Sequence, residues 1–179
     1  MRCSWCGDDP LYVAYHDTEW GRPVHDDQRL FEKICLEGFQ AGLSWLTILR
    51  KREHFRRVFV NFDPAMVASF GESDIARLLT DSGIIRHRGK IESVVNNAQR
   101  YDALIDEFGS LDAFVWRFAP ETSNVPQGPA DVPAHTVEST AMSRELKRRN
   151  WSFVGPTTMY AFMQSVGVVN DHLAECSFR

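Results

Sequence analysis

Few stretches of this chain alternate apolar and polar residues with period two, whereas apolar residues recur every three or four positions from end to end. That spacing gives each segment one apolar stripe, the signature of packed helices rather than sheet. "DDQRLFEKICLEGFQ" puts Leu30, Phe31, Ile34 and Cys35 on one stripe, with Asp26 or Asp27 as its start signal. "GLSWLTILRKREHFRRVF" continues with Leu43, Leu46, Ile48, Leu49 and Phe55. "DPAMVASF" and "SDIARLLTD" read as two short helices, the second capped by Ser73. "GKIESVVNNAQRYDALIDEF" reads as one longer helix, followed by "SLDAFVWRF". The segment "APETSNVPQGPADVPAH", Ala119 to His135, carries four prolines and reads as a surface loop. "ESTAMSRELKRR" and "TTMYAFMQSVG" are the last two helices, separated by a break at "NWSFVGP". The expectation is an all-α chain of about eight to ten helices.

With 179 residues, 44% of them hydrophobic, the chain is expected to form a single domain with its own core. No apolar run approaches the ~20 residues of a membrane span. No basic-then-apolar leader is visible at the amino end, which points to the cytoplasm. Four cysteines are too few for a disulfide scaffold and suit core positions, metal ligands or reactive thiols. A formal net charge of −4 lowers the expectation of nucleic-acid binding without removing it, because a local basic face can act inside an acidic protein.

Chemistry-bearing residues gather at the two ends. His172 and Cys176 are four apart, so on a helix both reach one ion. Cys3, Cys6 and His16 offer the other half of a tetrahedral site, and zinc takes four such ligands. A metal there pins ends that otherwise fray. The Cys3–Cys6 CxxC also reads as a redox pair or a fortuitous one, and a lone HxxxC is commonly chance.

Two further regions stand out. In "SRELKRRNWSFVGPTTMYAFMQ" a helix ending in Lys147, Arg148 and Arg149 meets Gly155, and Pro156 opens the next helix. Helix, glycine turn and helix can aim backbone N–H groups at a phosphate, although a plain helix corner with a solvated charged face is commoner. "RHRGK", Arg86 to Lys90, is a second basic junction for the same backbone, whereas "RKREHFRR" reads as a polar helix face. The other region is "ICLEGFQAGLSWL", where Glu37 interrupts an apolar run. A buried unpaired carboxylate is costly, so Glu37 either meets water at a helix end or faces a cleft. In the cleft reading Trp5, Tyr12, Tyr15, Trp20 and Trp45 wall it, which suits a flat, cationic ligand; each is equally placed to be core.

"DPLYVAYHDTEWG", "LEGFQAGLSW", "GIIRHRGKI" and "FVGPTTMYAFMQSVGVVNDH" together resemble the bacterial 3-methyladenine DNA glycosylase I family, from Cys3 to Cys176. The resemblance implies a helix-hairpin-helix DNA glycosylase fold over residues 1–179, a monomer acting on double-stranded DNA that contains 3-methyladenine, in the bacterial cytoplasm at the nucleoid. It implies one structural zinc joining the termini through Cys3, His16, His172 and Cys176; this chain departs from the family in having Cys6, whose CxxC with Cys3 makes it a competitor for His16. It implies that Glu37 is the catalytic carboxylate in a base pocket of Trp5, Tyr12, Tyr15, Trp20 and Trp45. It also implies that Val154, Gly155, Thr157 and Thr158 hold the DNA backbone.

The wider superfamily has a hairpin of the form LPGVGxKTA. This chain has "SFVGPTTM", with Phe153 at the first glycine and Thr157 where lyases carry a nucleophilic lysine, so base removal without strand cleavage is expected. Asp171 falls near the superfamily's catalytic aspartate, a residue the 3-methyladenine family is described as lacking. The alternative is a zinc-stabilised helical DNA-binding module without catalysis, which gives Glu37 no task; a thiol redox protein built on Cys3 and Cys6 is another.

Overall fold

The computed structural model describes residues 1–122 and 124–179, and among the described residues the regular structure is helical, with no strand. Helices α1 (Pro10–Thr18), α2 (Asp27–Gln40) and α3 (Trp45–Val58) come first. They are followed by α4 (Pro64–Ala68), α5 (Glu72–Thr80), α6 (Arg88–Ala98), α7 (Tyr101–Phe108) and α8 (Leu111–Trp116). After the proline-rich segment come α9 (Val137–Arg148) and α10 (Pro156–Ser165). None of the described helices is long and apolar enough to cross a membrane.

Helix α2 is the axis of the fold. Every residue from Leu30 to Phe39 is buried, and α3, α6, α8 and α10 pack around it. Its start is fixed by two successive aspartates with different tasks. Asp26 caps α2 by accepting from the Arg29 N–H at 2.8 Å. Asp27 reaches away and accepts from the backbone N–H groups of Leu111 and Asp112, at 3.0 and 2.8 Å, capping α8 instead. At the other end the Lys90 ammonium donates to the Phe39 and Ala41 carbonyls, at 2.8 and 2.5 Å. These are terminal carbonyls left without helical partners. Lys90 is therefore buried against α2 and is not a basic residue offered to DNA, as the reading of "RHRGK" had it.

Three other expectations need correction. The long segment after Gly89 is two helices, because Gln99 and Arg100 close α6 and Arg100, at φ −108 and ψ 0, leaves the helix. Helix α5 is capped at Gly71, whose N–H donates to Asp74, so Ser73 lies inside the helix. His172 and Cys176 are not on a helix at all: α10 stops at Ser165 and the chain turns at Gly167. Gly167 has φ +75, and a Cβ there would lie 2.5 Å from the Arg22 and Pro23 main chain, so only glycine lets the two segments touch.

The hairpin between α9 and α10 is held by asparagines. Asn150, at φ +61, ends α9 in the left-handed conformation, and Trp151 N–H closes back onto the Leu146 carbonyl. Buried Asn97 on α6 accepts from Ser152 N–H at 2.9 Å and donates to the Ser152 carbonyl at 3.0 Å. Ser143 donates to the Val154 carbonyl at 2.6 Å. Phe153, which stands where the superfamily has glycine, takes φ +57. Replacing Asn97 with alanine strips both bonds from Ser152 and leaves its half-buried main-chain groups unpaired. The expected loss is about 1–3 kcal/mol, read as a lower denaturant midpoint at unchanged slope.

Candidate functional site

Capping sets the first wall of the site. Asp9 accepts from the Leu11 and Tyr12 N–H groups and Pro10 opens α1, so Tyr12, Tyr15 and His16 project from successive turns of one short helix. Just before it, the single 3-10 turn Ser4–Cys6 swings Trp5 over α1. Trp5 meets Tyr12 and Trp20 edge-on, each at 4.9 Å between centroids. Tyr15 in turn lies 5.4 Å from Trp45, the first residue of α3.

These five rings and Glu37 line one cavity of about 280 Å³, together with Gln40, Gln164 and Asp171 among others. Its size is at the small end for ligand cavities and suits a single flat heterocycle. Glu37 is 4% exposed, so of the two sequence readings the cleft holds and the solvated helix end does not. Glu37 Oε2 and Trp45 Nε1 are both buried without a hydrogen-bond partner among the described residues. One acceptor and one donor, orphaned in an aromatic cavity, are polar groups waiting for a ligand. Burial pushes the Glu37 carboxyl up to about 8, against the pull of nearby Lys33 and the Ser165 hydroxyl. Lys33, one helical turn earlier, is pushed down to about 8 by its own burial, against the carboxylates around it. The sequence reading missed Lys33, although its four-residue spacing from Glu37 on an apolar helix was the available signal.

Asp171 closes the cavity at the far side, accepting from the Tyr160 hydroxyl at 2.5 Å and from Gln164 at 2.8 Å. Burial and Asp171 raise the Tyr160 hydroxyl above the normal tyrosine range. Beyond Asp171 a wider hollow of about 710 Å³ runs under the proline-rich segment.

The metal-ligand candidates meet behind the aromatic wall. Cys3, His16, His172 and Cys176 are all buried, with donor atoms within 4.8 Å of one another. Cys176 Sγ lies 3.5 Å from His16 Nε2 and 3.3 Å from His172 Nδ1, and Cys3 Sγ lies 3.6 Å from His172 Nδ1. A tetrahedron with metal–sulfur bonds of ~2.3 Å and metal–nitrogen bonds of ~2.0 Å has edges of about 3.3–3.8 Å, which these match. The outer nitrogens are already engaged: His16 Nδ1 with Asp17 at 2.7 Å, His172 Nε2 with the Trp20 carbonyl at 3.0 Å. That turns the inner nitrogen of each ring toward the thiols, with His16 Nε2 also accepting from the Cys3 N–H at 3.3 Å. Burial also pushes the Cys3 thiol up to about 11, so a cation is what would favour its thiolate. The residues present can therefore hold a metal ion. Cys6 is outside the group, its thiol turned to the Cys3 carbonyl at 3.1 Å.

The hairpin face is mixed. No side chain caps α10, so the first amides after Pro156 are left by helix geometry for an outside acceptor. Gly155 has φ −64, and a Cβ there would meet only Thr158 Oγ1 at 4.0 Å; the fold does not require glycine at this point. Thr157 is exposed and Thr158 half-buried, whereas the Val154 side chain is core and leaves only its main chain for the surface. The preceding basic run is less free than its sequence suggested. Arg148 pairs with Glu145, and Arg149 with both Glu145 and Glu107. On α3 the "RKREHFRR" face is polar as expected, and Arg50, Arg52 and Arg56 pair with Asp9, Glu19 and Glu32.

Comparison with known proteins places the chain in a family. A family model described as methyladenine glycosylase matches residues 5–179. The chain is 49% identical over 177 residues to DNA-3-methyladenine glycosylase 1 of Escherichia coli (strain K12), covering 98% of this chain and 95% of that protein. A crystal structure of 3-methyladenine DNA glycosylase I superposes with a TM-score of 0.95 at 47% identity, covering 99% of this chain and 98% of that one. A Staphylococcus aureus 3-methyladenine DNA glycosylase I, solved for the structural basis of 3-methyladenine recognition, gives 0.93 at 36% identity over 98% and 95% of the two chains. The chain belongs to the methyladenine glycosylase family.

Proposed function

We propose that this protein is a monofunctional DNA glycosylase that hydrolyses the N-glycosidic bond of 3-methyladenine in alkylated double-stranded DNA. The observation that carries the reading is the orphaned Glu37 carboxylate oxygen and Trp45 indole N–H in an aromatic cavity sized for one base. Relatives across the whole chain named for 3-methyladenine support the substrate.

Methylation at N3 puts positive charge on adenine and weakens its bond to the sugar. The base then leaves as a neutral molecule and needs little general-acid help. The protein must extract and select it, and unstacking costs a few kcal/mol, least for a damaged base. Tyr15 and Trp45 bound the ring faces and Trp5, Tyr12 and Trp20 complete the wall. Stacking of ~1–3 kcal/mol per base favours any flat base. Selection therefore falls to Glu37, which accepts hydrogen bonds from the base edge and attracts its charge. The main chain of Val154 to Thr158, with the Thr157 and Thr158 side chains, holds a phosphate of the backbone. With threonine at position 157, no amine sits at the lyase position of the hairpin.

A structural zinc on Cys3, His16, His172 and Cys176 would supply cross-linking of the two chain ends. Its placement ties it to the cavity, because His172 donates to the Trp20 carbonyl and Trp5 follows Cys3 by two residues.

Two outcomes are expected. Glu37→Gln should reduce excision of 3-methyladenine about 10- to 100-fold, the ~1.5–3 kcal/mol of a charged hydrogen bond, with affinity for undamaged DNA unchanged. The pH dependence has a definite sign. Glu37 attracts the cationic base only after losing its proton, so kcat/KM should climb as pH rises toward about 8 and then level. That slope should vanish in Glu37→Gln; its survival there would assign it to another group. For the metal, elemental analysis should find one zinc per chain in the wild type and in Cys6→Ser. In Cys176→Ala it should find none, together with a lower melting temperature and weaker binding of free 3-methyladenine. A metal-free wild type purified without chelator would rule the site out.

A further inference from the structure

We infer that Lys33 is a positioning residue that favours the carboxylate form of Glu37 inside the base cavity, against the burial that opposes it. The inference rests on Glu37 being the base-selecting group. It starts from a charge count around α2. Three carboxylates crowd this region: Glu19, Glu32 and Glu37. Glu19 is gripped by both terminal nitrogens of Arg52, at 2.6 and 2.9 Å. Glu32 is gripped by Arg56 through Nε at 2.9 Å and NH2 at 2.8 Å. Glu37 has no arginine. The cation left over is Lys33, four residues earlier on the same helix and hence on the same face.

The setting of Lys33 is unusual for an ammonium group. It is 3% exposed, and its Nζ has no hydrogen-bond partner. The nearest carboxylate oxygen recorded for it is on Glu19, at 3.8 Å, and Glu19 is already satisfied by Arg52. Its Nζ lies under the two rings that bound the cavity, 4.8 Å from the Tyr15 centroid and 5.5 Å from that of Trp45. The aromatic faces replace part of the lost hydration. An ammonium kept so deep without hydrogen bonds needs an anion nearby, and of the three carboxylates Glu37 is the one that no arginine pairs with. The arrangement puts the negative end of the pair in the cavity and the positive end behind the wall.

The other titratable and charged groups around Glu37 do not supply this effect. Tyr12 and Tyr15 on α1 have hydroxyls raised by burial and stay neutral, as does Tyr160 on α10. Burial would raise Glu19, but its contacts with Arg52 keep it low and matched to that arginine. Asp171, in the carboxy-terminal segment, is bonded to Tyr160 and Gln164.

The test uses carbon-13 detection of the Glu37 carboxyl and nitrogen-15 detection of the Lys33 ammonium, with neither substrate nor DNA present. In Lys33→Met the Glu37 titration midpoint should move up by about one pH unit or more, the size of shift an adjacent opposite charge confers. Lys33→Arg, which keeps the charge, should stay nearer the wild type than Lys33→Met does. The reciprocal measurement does not depend on Lys33→Met folding: in Glu37→Gln the Lys33 midpoint should fall. The acid limb of kcat/KM for 3-methyladenine excision should move up with the carboxyl midpoint in Lys33→Met. A Glu37 midpoint unmoved in folded Lys33→Met, or a Lys33 midpoint unmoved in Glu37→Gln, would assign Lys33 to Glu19 and overturn the inference. Failure of the wild type to excise 3-methyladenine would instead sink the functional reading, and the titrations would still report on the pair.

Discussion

The structure depends on burying one helix on all sides while that helix still carries charge. An apolar α2 would fill the same volume with no pairing to arrange. This α2 brings Glu32, Lys33 and Glu37 into the interior, and each needs an answer from a different neighbour. Arg56 answers Glu32 from α3, and two aromatic rings cover Lys33. Even the end of the helix is closed by a buried lysine, Lys90, rather than by water. The packing of α3, α6 and α10 around α2 is thus specified by polar partners as well as by apolar fit.

Of the two carboxylates in this set, Glu37 is the one with an oxygen, Oε2, that has no hydrogen-bond partner among the described residues, and the empty volume lies beside it. A fold that satisfies its other interior carboxylates and leaves this one unmet carries a cost in stability at that atom, which the proposed base-binding role would explain. The same holds, less acutely, for Trp45 Nε1. Stability and recognition compete at these two atoms, and the surrounding network of arginine pairs offsets the difference.

How much of this was legible depended on range. The helical class, the surface loop and the cap Asp26 follow from local pattern, because capping involves residues within four positions. The aromatic wall was legible as composition, since Trp5 to Trp20 lie close in sequence and Trp45 stands near Glu37, but its closure by Asp171 was not. Asp27 reads locally as a second cap for α2; its bond to Asp112, 85 residues away, is visible only in three dimensions. Lys90 misled for the same reason: a basic cluster at a helix start looks exposed until α2's carbonyls are placed against it. The His172–Cys176 spacing suggested a helix, yet the pair converges through turns, with the Cys176 N–H closing on the Leu173 carbonyl. Ligand convergence survived that error because it depends on where the donor atoms end, not on the element that carries them.

The meeting of the two ends also orders events in time. Cys3 and His16 leave the ribosome first, but their partners are about 160 to 170 residues later in the chain. Contacts of such span are the last to form and carry a large closure entropy. The hydrogen bond that orients Trp20 comes from His172, and the Met1 carbonyl waits for the Ser177 N–H. A nascent chain can therefore fold α2 and its neighbours while the recognition cavity stays unfinished. A chain interrupted before its final ten residues lacks Asp171, which lines the cavity, and His172 and Cys176, which bring the two ends together.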